Sequence, residues 1–301
     1  MIKLGALLRL ARPKQWIKNI FVFTAIIFSG RATDIDAISH ALIAFAAFCL
    51  AATSIYLLND FRDVKEDRQH PTKKTRPLAA GTLPLWTGPV GFVMAAAGSL
   101  IMALSLLNTT STLVIGLYLV FNLAYSLGLK HLVIIDVLII AAGFVLRILA
   151  GAAAISVMPS TWLILCAVTI SLFLGFTKRR AEVVLLGEKA KEHRKVLAYY
   201  NTSFLDQMIS IVTAATVVCY ILYTVDERTV ALVGSRLLIL SVPLVLYGIF
   251  RYLYLVYHAE SGGDPTRTVF TDIPLLLNGI VWGVLCTGII LFGKELLNAI
   301  Y

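Results

Sequence analysis

The sequence predicts an all-α polytopic membrane protein with about nine transmembrane helices, and three observations predict this class. The 301 residues are 59% hydrophobic and only 14% charged, with a mean hydropathy of +0.86, whereas soluble globular proteins carry roughly 25% charged residues. Apolar runs long enough to cross a bilayer as helices recur along the whole chain. Basic residues are concentrated in alternate connections between these runs.

Nine apolar runs approach the length of about 20 residues that a helix needs to cross a bilayer. In chain order they occupy residues 16–30, 37–59, 84–105, 110–128, 132–155, 160–177, 206–224, 233–257 and 274–293. The first run is the shortest and is compatible with a tilted or interfacial helix. Because the runs continue along the chain, residues 1–301 are interpreted as a single transmembrane domain.

The basic residues predict the orientation of these spans. Twenty of the 26 Lys and Arg residues lie before the first span or after spans two, four, six and eight, and four lie on the other side. The positive-inside rule therefore predicts that the N-terminus lies in the cytoplasm and the C-terminus on the opposite side of the cell (inner) membrane. The N-terminal segment is basic and amphipathic without a small-residue cleavage site, so no cleavable signal peptide is expected.

The net charge of +9 and the four cysteines have simple explanations. The charge marks cytoplasmic loops, so we do not interpret it as a nucleic-acid-binding surface. Cys49, Cys166, Cys219 and Cys286 each lie in an apolar run, without metal-ligand spacing, and are expected to be free packing residues.

Opposite charges gather in the stretch NDFRDVKEDRQHPTKKTRP, at the cytoplasmic end of the second span. Asn59, Asp63 and Asp67 recur every four residues, so they share one face if the helix continues, and Asp60 flanks that face. Carboxylates at a helix C-terminus repel one another and the helix dipole. A hard divalent cation relieves both effects, and these oxygen ligands suit Mg²⁺ bound to a substrate phosphate. The spacing predicts a Mg²⁺ site on Asn59, Asp63 and Asp67, with a solvated interfacial loop as the open alternative.

Three basic residues follow the acidic ones directly. Lys73, Lys74 and Arg76 can bind phosphate oxygens that a metal ion does not reach. The positive-inside rule also explains them, and the two roles are compatible. Because all these groups lie in predicted cytoplasmic loops, any reaction is expected to use water-soluble material at the inner face of the membrane.

The motif N-D-x-x-D-x-x-x-D, read from Asn59 to Asp67, resembles the first aspartate-rich motif of the UbiA-type intramembrane prenyltransferases. The resemblance covers nearly the whole chain and implies a helical bundle that holds a diphosphate through Mg²⁺. Most members carry a second motif, D-x-x-x-D, after span six. The chain departs from that pattern, since its counterpart reads GFTKRRAEVVLLGE, with Glu182 and Glu188 as the only acidic residues.

Several further stretches resemble the decaprenyl-phosphate phosphoribosyltransferase branch of that superfamily. These stretches are RPKQWIKN, HPTKKTRPLAAG, AYSLGLKH, KRRAE and SGGDPTRTVFTDIPLLLNGIVW. The resemblance implies a catalytic domain that transfers 5-phosphoribosyl from 5-phosphoribosyl 1-diphosphate to a polyprenyl phosphate and releases diphosphate. The lipid phosphate is then the nucleophile, so no His or Cys nucleophile is needed.

The implied roles fall on specific residues of this sequence. Asp60, Asp63 and Asp67 are the implied catalytic residues, and Asp60 binds either the metal or the ribose hydroxyls. The candidate substrate-binding residues are Lys18, Lys73, Lys74, Arg76, Tyr125, Lys130, Lys178, Arg179, Arg180, Glu182 and Asp264. Each assignment has an open alternative. The basic loops can be cationic anchors at the interface, Lys130 can extend its ammonium group to the interface, and the SGGDPTR segment can be an ordinary turn.

Two rival functions remain open. One is a UbiA-type enzyme that prenylates an aromatic acceptor, which the missing second aspartate pair disfavours. The other is a cation or lipid transporter, which would place its polar site near the bilayer midplane. Two charges do lie within the fifth span, Asp136 and Arg147. Arg147 is expected near the outer end with its guanidinium reaching the interface, and direct contact between the two is not expected.

Overall fold

The computed structural model describes residues 4–69, 73–187, 195–258 and 265–300. The α-helices are α1 (Leu4–Ala11), α2 (Thr24–Phe28), α3 (Ile35–Arg62), α4 (Val64–Gln69), α5 (Thr87–Leu106), α6 (Thr109–Leu127), α7 (Ile135–Ala154), α8 (Thr161–Leu186), α9 (Thr202–Val225), α10 (Glu227–Val233), α11 (Val242–His258), α12 (Pro265–Thr271) and α13 (Ile273–Ile300). One long 3-10 helix covers Pro13–Phe23, and short ones cover Lys73–Thr75, Leu129–His131, Lys195–Tyr199 and Leu237–Ser241. Glu188 and Asp264 lie outside the described residues.

Within the described residues, eight helical segments are long and apolar enough to cross a membrane. They correspond to the second through ninth predicted spans, so the all-helical membrane class is confirmed. The first predicted span, residues 16–30, differs: it folds as the 3-10 helix Pro13–Phe23 followed by the five-residue α2. Hydropathy alone does not distinguish a 3-10 helix from an α-helix, because both can bury the same apolar residues.

Contacts to other helices explain the 3-10 geometry. A helix with three residues per turn aligns Trp16, Asn19 and Val22 on one face. Trp16 Nε1 donates to Thr53 Oγ1 at 3.1 Å, and Asn19 Nδ2 donates to the sulfur of Cys49 at 3.2 Å. Asn19 and Val22 are fully buried. Tertiary hydrogen bonds along this face therefore stabilise a long 3-10 helix that local propensity alone would not favour.

Four of the long helices, α3, α8, α9 and α13, begin where a side chain caps their free N–H groups. Asp34 Oδ1 accepts from Asp36 N and Ala37 N at the start of α3, at 3.0 and 3.1 Å. Ser160 caps α8, Asn201 caps α9 and Asp272 caps α13 in the same way. A hydrogen bond from Arg31 holds the pKa of the Asp34 carboxyl below its usual value, so this cap stays ionised. Such caps typically stabilise a helix by about 1 kcal/mol.

The chain divides into two compact units, each packed mainly within itself. The first contains residues 1–26, 31–127 and 146–158, and the second contains residues 27–30, 128–145 and 159–301. Helix α7 contributes residues to both units. The single catalytic domain over residues 1–301 stays a prediction.

In the first unit, α3 packs along α5 through small residues. Ala44, Ala47 and Ala51 are completely buried and let the helices approach closely. Ser99 Oγ of α5 donates to the carbonyl of Ala47 at 2.7 Å. In the second unit, α8 packs against α9 around a core that includes Phe173, Phe176, Leu205, Ile209 and Tyr252. All four cysteines lie in described segments and are free, as predicted.

The expectation that the guanidinium of Arg147 reaches the interface is wrong. Its side chain is only 6% exposed, and its Nε donates to Asn19 Oδ1 at 2.8 Å. The guanidinium also lies 5.1 Å from the ring centroid of Phe48 and 5.0 Å from that of Tyr118. An arginine facing hydrocarbon would have to reach water, whereas these polar and aromatic partners stabilise its charge inside the unit.

Candidate active site

The acidic stretch lies where α3 passes into α4. Helix α3 ends at Arg62, and Asp63 leaves helical geometry with φ −92° and ψ 13°. Backbone hydrogen bonds nevertheless continue across the break, from Asp63 N to Asn59 O at 2.9 Å and from Asp67 N to Asp63 O at 2.8 Å. The helical register therefore persists into α4, in agreement with the predicted continuation of the second span.

Two aspartates and two arginines form an arginine–aspartate cluster, which comprises Arg12, Asp60, Asp67 and Arg76. Arg12 donates a hydrogen bond to Asp60 Oδ1. Arg76 Nη1 donates to the same oxygen at 3.1 Å and to Asp67 Oδ2 at 2.6 Å. Both carboxylates are 2% exposed. Because a buried carboxylate needs a compensating charge, the arginines are what makes this burial possible.

Arg12 is a member of the arginine–aspartate cluster that the sequence patterns did not single out. It joins α1 to the 3-10 helix with φ 53° and ψ 57°, a left-handed conformation uncommon for residues other than glycine. Its guanidinium lies 5.3 Å from the ring centroid of Tyr56. Pro13 was the sequence signal for a break at this position, because a proline disfavours helical geometry at the residue before it. Its partner Asp60 is 48 positions away, which no local pattern indicates.

The predicted metal ligands occupy different environments. Asn59 is half-buried, with Oδ1 2.6 Å from Ser126 Oγ. Asp63 is half-buried at the end of α3, and Asp67 is paired with Arg76. Among the described residues, Asp60 Oδ2 is buried without a hydrogen-bond partner. It is therefore an acceptor that a cation or a hydroxyl group could satisfy.

Mg²⁺ fits the chemistry of this donor set, since carboxylate and amide oxygens are its preferred protein ligands. The arrangement is not that of a formed metal site: across residues 4–69, 73–187, 195–258 and 265–300, no three His, Cys, Asp or Glu side chains are grouped so that they could hold a metal ion. Arg12 and Arg76 neutralise two of the carboxylates instead. Arg76 contacts Oδ2 of Asp67, so Mg²⁺ on Asp67 would either use the other carboxylate oxygen or displace Arg76 from this one.

The remaining predicted residues of the first unit lie in three separate segments. Lys73 and Lys74 are exposed in the 3-10 turn that precedes Arg76. Lys18 is half-buried in the 3-10 helix Pro13–Phe23, and Tyr125 is half-buried near the end of α6. Their assignment as substrate-binding residues stays a prediction.

In the second unit, a buried Arg179 network replaces the second aspartate-rich motif. It comprises Asp136, Arg179, Glu182 and Tyr200. Arg179 is 1% exposed, and it donates from Nε to Asp136 Oδ2 at 2.8 Å and from Nη1 to Glu182 Oε2 at 2.6 Å. Tyr200 donates its hydroxyl to Asp136 Oδ1 at 2.7 Å. Burial raises the pKa of this hydroxyl above its ordinary value.

The neighbouring basic residues are partly accessible. Arg180 Nε donates to Asp206 Oδ1 at 2.6 Å, and its guanidinium lies 3.9 Å from the ring centroid of Tyr257. Lys178 on α8 is half-buried, and so is Lys130 in the 3-10 turn Leu129–His131. The sequence patterns indicated the basic residues and Glu182, but not that Asp136 and Tyr200 are partners in the Arg179 network.

Comparison with known proteins decides the family. The model of the UbiA prenyltransferase family matches residues 20–272. The chain belongs to the UbiA prenyltransferase family. A UbiA homolog from Archaeoglobus fulgidus, solved with GPP and Mg²⁺ bound, has a TM-score of 0.72 at 17% identity, over 95% of this chain and 99% of that chain. This likeness extends the UbiA fold to nearly the whole chain.

Two relatives are similar enough in sequence to refine the placement. A decaprenyl-phosphate phosphoribosyltransferase from Mycolicibacterium smegmatis is 39% identical, over 72% of this chain and 69% of that protein. One from Corynebacterium glutamicum is 36% identical, over 92% of this chain and 84% of that protein. The resemblance to this branch of the UbiA family is thereby confirmed. The chain is a transferase that its apolar helices embed in a membrane.

Proposed function

We propose that this UbiA-family protein transfers 5-phosphoribosyl from 5-phosphoribosyl 1-diphosphate to a polyprenyl phosphate of the decaprenyl type, at the cytoplasmic face of the cell membrane. The observation that carries the proposal is the 36% identity to a decaprenyl-phosphate phosphoribosyltransferase over 92% of the chain. The ion pairs that Arg179 of α8 forms with two carboxylates support the proposal. Glu182 and Asp136 are both bound to Arg179, which leaves that segment poor in ligands for a second metal ion.

The arginine–aspartate cluster is suited to a substrate that carries a diphosphate. Asp60 and Asp67 share the guanidinium of Arg76, and Lys73 and Lys74 lie exposed just before it in the chain. In the proposed reaction, Arg76 exchanges a carboxylate partner for a diphosphate oxygen, which forms equally strong charge-assisted hydrogen bonds. Asn59, Asp63 and Asp67 would hold Mg²⁺, which when bound would neutralise the diphosphate and favour its departure.

The bond changes need no protein nucleophile. An ionised oxygen of the lipid phosphate forms a bond to C1 of the ribose, while the bond from C1 to the diphosphate breaks and the diphosphate leaves with the electron pair. Attack from the opposite face inverts the anomeric centre. Because the attacking oxygen is already ionised, no general base is required.

The other predicted residues take roles that suit their charge. Lys130, Lys178 and Arg180 are proposed to bind the 5-phosphate of the donor or the lipid phosphate, and Lys18 and Tyr125 to approach the lipid head group. Asp60 is proposed to bind the metal or to accept a hydrogen bond from a ribose hydroxyl, and its Oδ2 is an acceptor still without a partner among the described residues. Glu182 is proposed to orient an arginine, as its ion pair with Arg179 allows. Asp264 is a further candidate contact.

Transfer of label tests this function directly. The purified protein in lipid nanodiscs, given ribose-labelled 5-phosphoribosyl 1-diphosphate, decaprenyl phosphate and Mg²⁺, is expected to form a labelled lipid and one diphosphate per lipid. Excess EDTA should stop the reaction. Unsealed membranes and inside-out vesicles should use the donor equally, whereas sealed right-side-out vesicles should not use it.

Matched reactions separate the rival functions. Replacing the donor with a prenyl diphosphate and the acceptor with an aromatic acid is expected to give no product. Prenylation of that acid without any labelled lipid from the phosphoribosyl donor would refute the proposal in favour of aromatic prenylation. Activity in sealed right-side-out vesicles would refute the assignment of the cytoplasmic face.

A further inference from the structure

The segment that leads into α7 is held in an unfavourable backbone conformation. Ile134 has φ +70°, in the left-handed region where a β-branched residue is a genuine outlier. Its side chain is 38% exposed, so burial of the side chain does not account for the conformation. The same segment carries Lys130 in the 3-10 turn Leu129–His131, four residues earlier. Strain of this kind persists only where surrounding contacts enforce it.

Backbone hydrogen bonds within the turn contribute to this enforcement: Ile135 N donates to Val133 O at 2.8 Å and Asp136 N to Leu132 O at 3.1 Å. Tyr200 adds a tertiary contact through its hydroxyl group. The hydroxyl accepts the N–H of Ile134 at 2.7 Å and donates to Asp136 Oδ1 at 2.7 Å. Tyr200 and Asp136 are both buried. The two hydrogen bonds bracket the start of α7, so together they hold the backbone on both sides of residue 135.

The same contacts continue to the C-terminal part of α8. Asp136 Oδ2 accepts from Arg179, and Arg179 donates onward to Glu182. An unbroken series of hydrogen bonds therefore joins the backbone of Ile134 to the helix that bears Lys178 and Arg180. Arg179 is buried between two carboxylates, so its charge is already compensated within the network.

We infer that Tyr200 is a positioning residue: its hydroxyl fixes the turn of Lys130 relative to α8 and thereby sets the affinity of the second unit for a phosphate-bearing substrate. This inference rests on the proposed function. Tyr200 need not touch the substrate. When the Tyr200 hydroxyl is removed, Ile134 loses a hydrogen bond that stabilises its left-handed conformation. The turn can then relax to negative φ and displace Lys130.

Tyr200→Phe isolates the hydroxyl, because the ring and its packing are kept. We expect the KM for one substrate, either the donor or decaprenyl phosphate, to rise about tenfold, which corresponds to about 1.4 kcal/mol. The kcat should stay within about twofold, since the reacting groups are unchanged. Measuring both KM values shows which phosphate this region binds. Tyr199→Phe is the matched control, because Tyr199 is the adjacent tyrosine and is 74% exposed; it should behave as wild type.

A second substitution tests the strain itself. Glycine adopts φ +70° without penalty, so adding Ile134→Gly to Tyr200→Phe should return the KM to within about threefold of wild type. Hydrogen–deuterium exchange of residues 128–136 gives a readout that does not depend on activity. Exchange should accelerate in Tyr200→Phe and remain unchanged in Tyr199→Phe.

The outcomes separate this inference from the proposed function. Unchanged exchange in Tyr200→Phe overturns the inference whatever the activity. Two results indicate a merely structural role and also overturn it: a lower kcat with both KM values unchanged, or a lower melting temperature with no recovery of KM when Ile134→Gly is added. A wild-type protein that forms no labelled lipid overturns the proposed function, and the positioning role with it. A working enzyme with unaltered Tyr200→Phe kinetics overturns the inference alone.

Discussion

Asp67→Asn is expected to abolish phosphoribosyl transfer, with kcat lower by on the order of 10³-fold or more, as is typical when a group that stabilises transition-state charge is removed. Asp67 is buried, shares Arg76 with Asp60, and is a proposed Mg²⁺ ligand. Asparagine keeps the shape of the side chain and can still accept a hydrogen bond from Arg76. The negative charge is what is lost, and with it most of the attraction for a divalent cation.

The measurement is formation of labelled lipid at saturating donor and decaprenyl phosphate. Glu66→Gln is the control, because it neutralises the neighbouring carboxylate, which is exposed on α4; it should retain activity within about twofold. Size-exclusion profiles of both variants should match wild type, since Arg76 keeps Asp60 as a partner. Activity of Asp67→Asn within tenfold of wild type would refute the assignment of Asp67 as a metal ligand.

Gly151→Ala is expected to cause the largest loss of stability among single-methyl substitutions in the first unit. A Cβ at this position of α7 would lie 1.9 Å from the carbonyl oxygen of Val22 and 2.8 Å from its carbonyl carbon. Backbone atoms cannot rotate away as a side chain can, so the 3-10 helix Pro13–Phe23 must shift. Overpacking costs typically 1–3 kcal/mol, and this clash with fixed backbone should lie at or above the upper end of that range.

Thermal unfolding in detergent checks this expectation. A loss of about 3 kcal/mol corresponds to a decrease in apparent Tm of about 5 °C for a chain of this size. Gly116→Ala is the matched control in α6 of the same unit, where the added Cβ would meet only Leu100 Cδ2 at 4.0 Å. Its Tm should be equal or slightly higher, because alanine favours helix over glycine by up to about 1 kcal/mol. Equal Tm values for the two variants would contradict the close approach of Val22 and Gly151.

The Gly151 substitution should also affect the arginine–aspartate cluster of the candidate active site. The 3-10 helix displaced by the new methyl group begins directly after Arg12, the partner of Asp60. It also carries Asn19, which accepts a hydrogen bond from Arg147. Transfer activity of Gly151→Ala should therefore fall at temperatures well below its unfolding transition, whereas that of Gly116→Ala should follow wild type.

Much of the fold could be predicted because its signal is local. The long helices from α3 onward coincide with apolar runs, since a bilayer-spanning helix must satisfy its own backbone and present apolar side chains. The grouping of Asp60 and Asp67 with Arg76 was also accessible, because all three lie within 17 consecutive residues. The 3-10 geometry of the first apolar run could not be predicted from the sequence, because it depends on contacts with Thr53, Cys49 and Arg147 in other helices.

Hydropathy and residue spacing, which act along one segment at a time, were enough to predict the class of the protein, its apolar helices and the acidic motif of the UbiA family. The folded structure was needed to show which polar groups meet across distant segments. Arg12 reaches Asp60 across 48 positions, Arg147 reaches Asn19 across 128, and Tyr200 reaches Asp136 across 64. The physical reason is that a buried charge or hydroxyl must find its partner wherever packing brings one, and packing joins segments whose separation along the chain carries no signal.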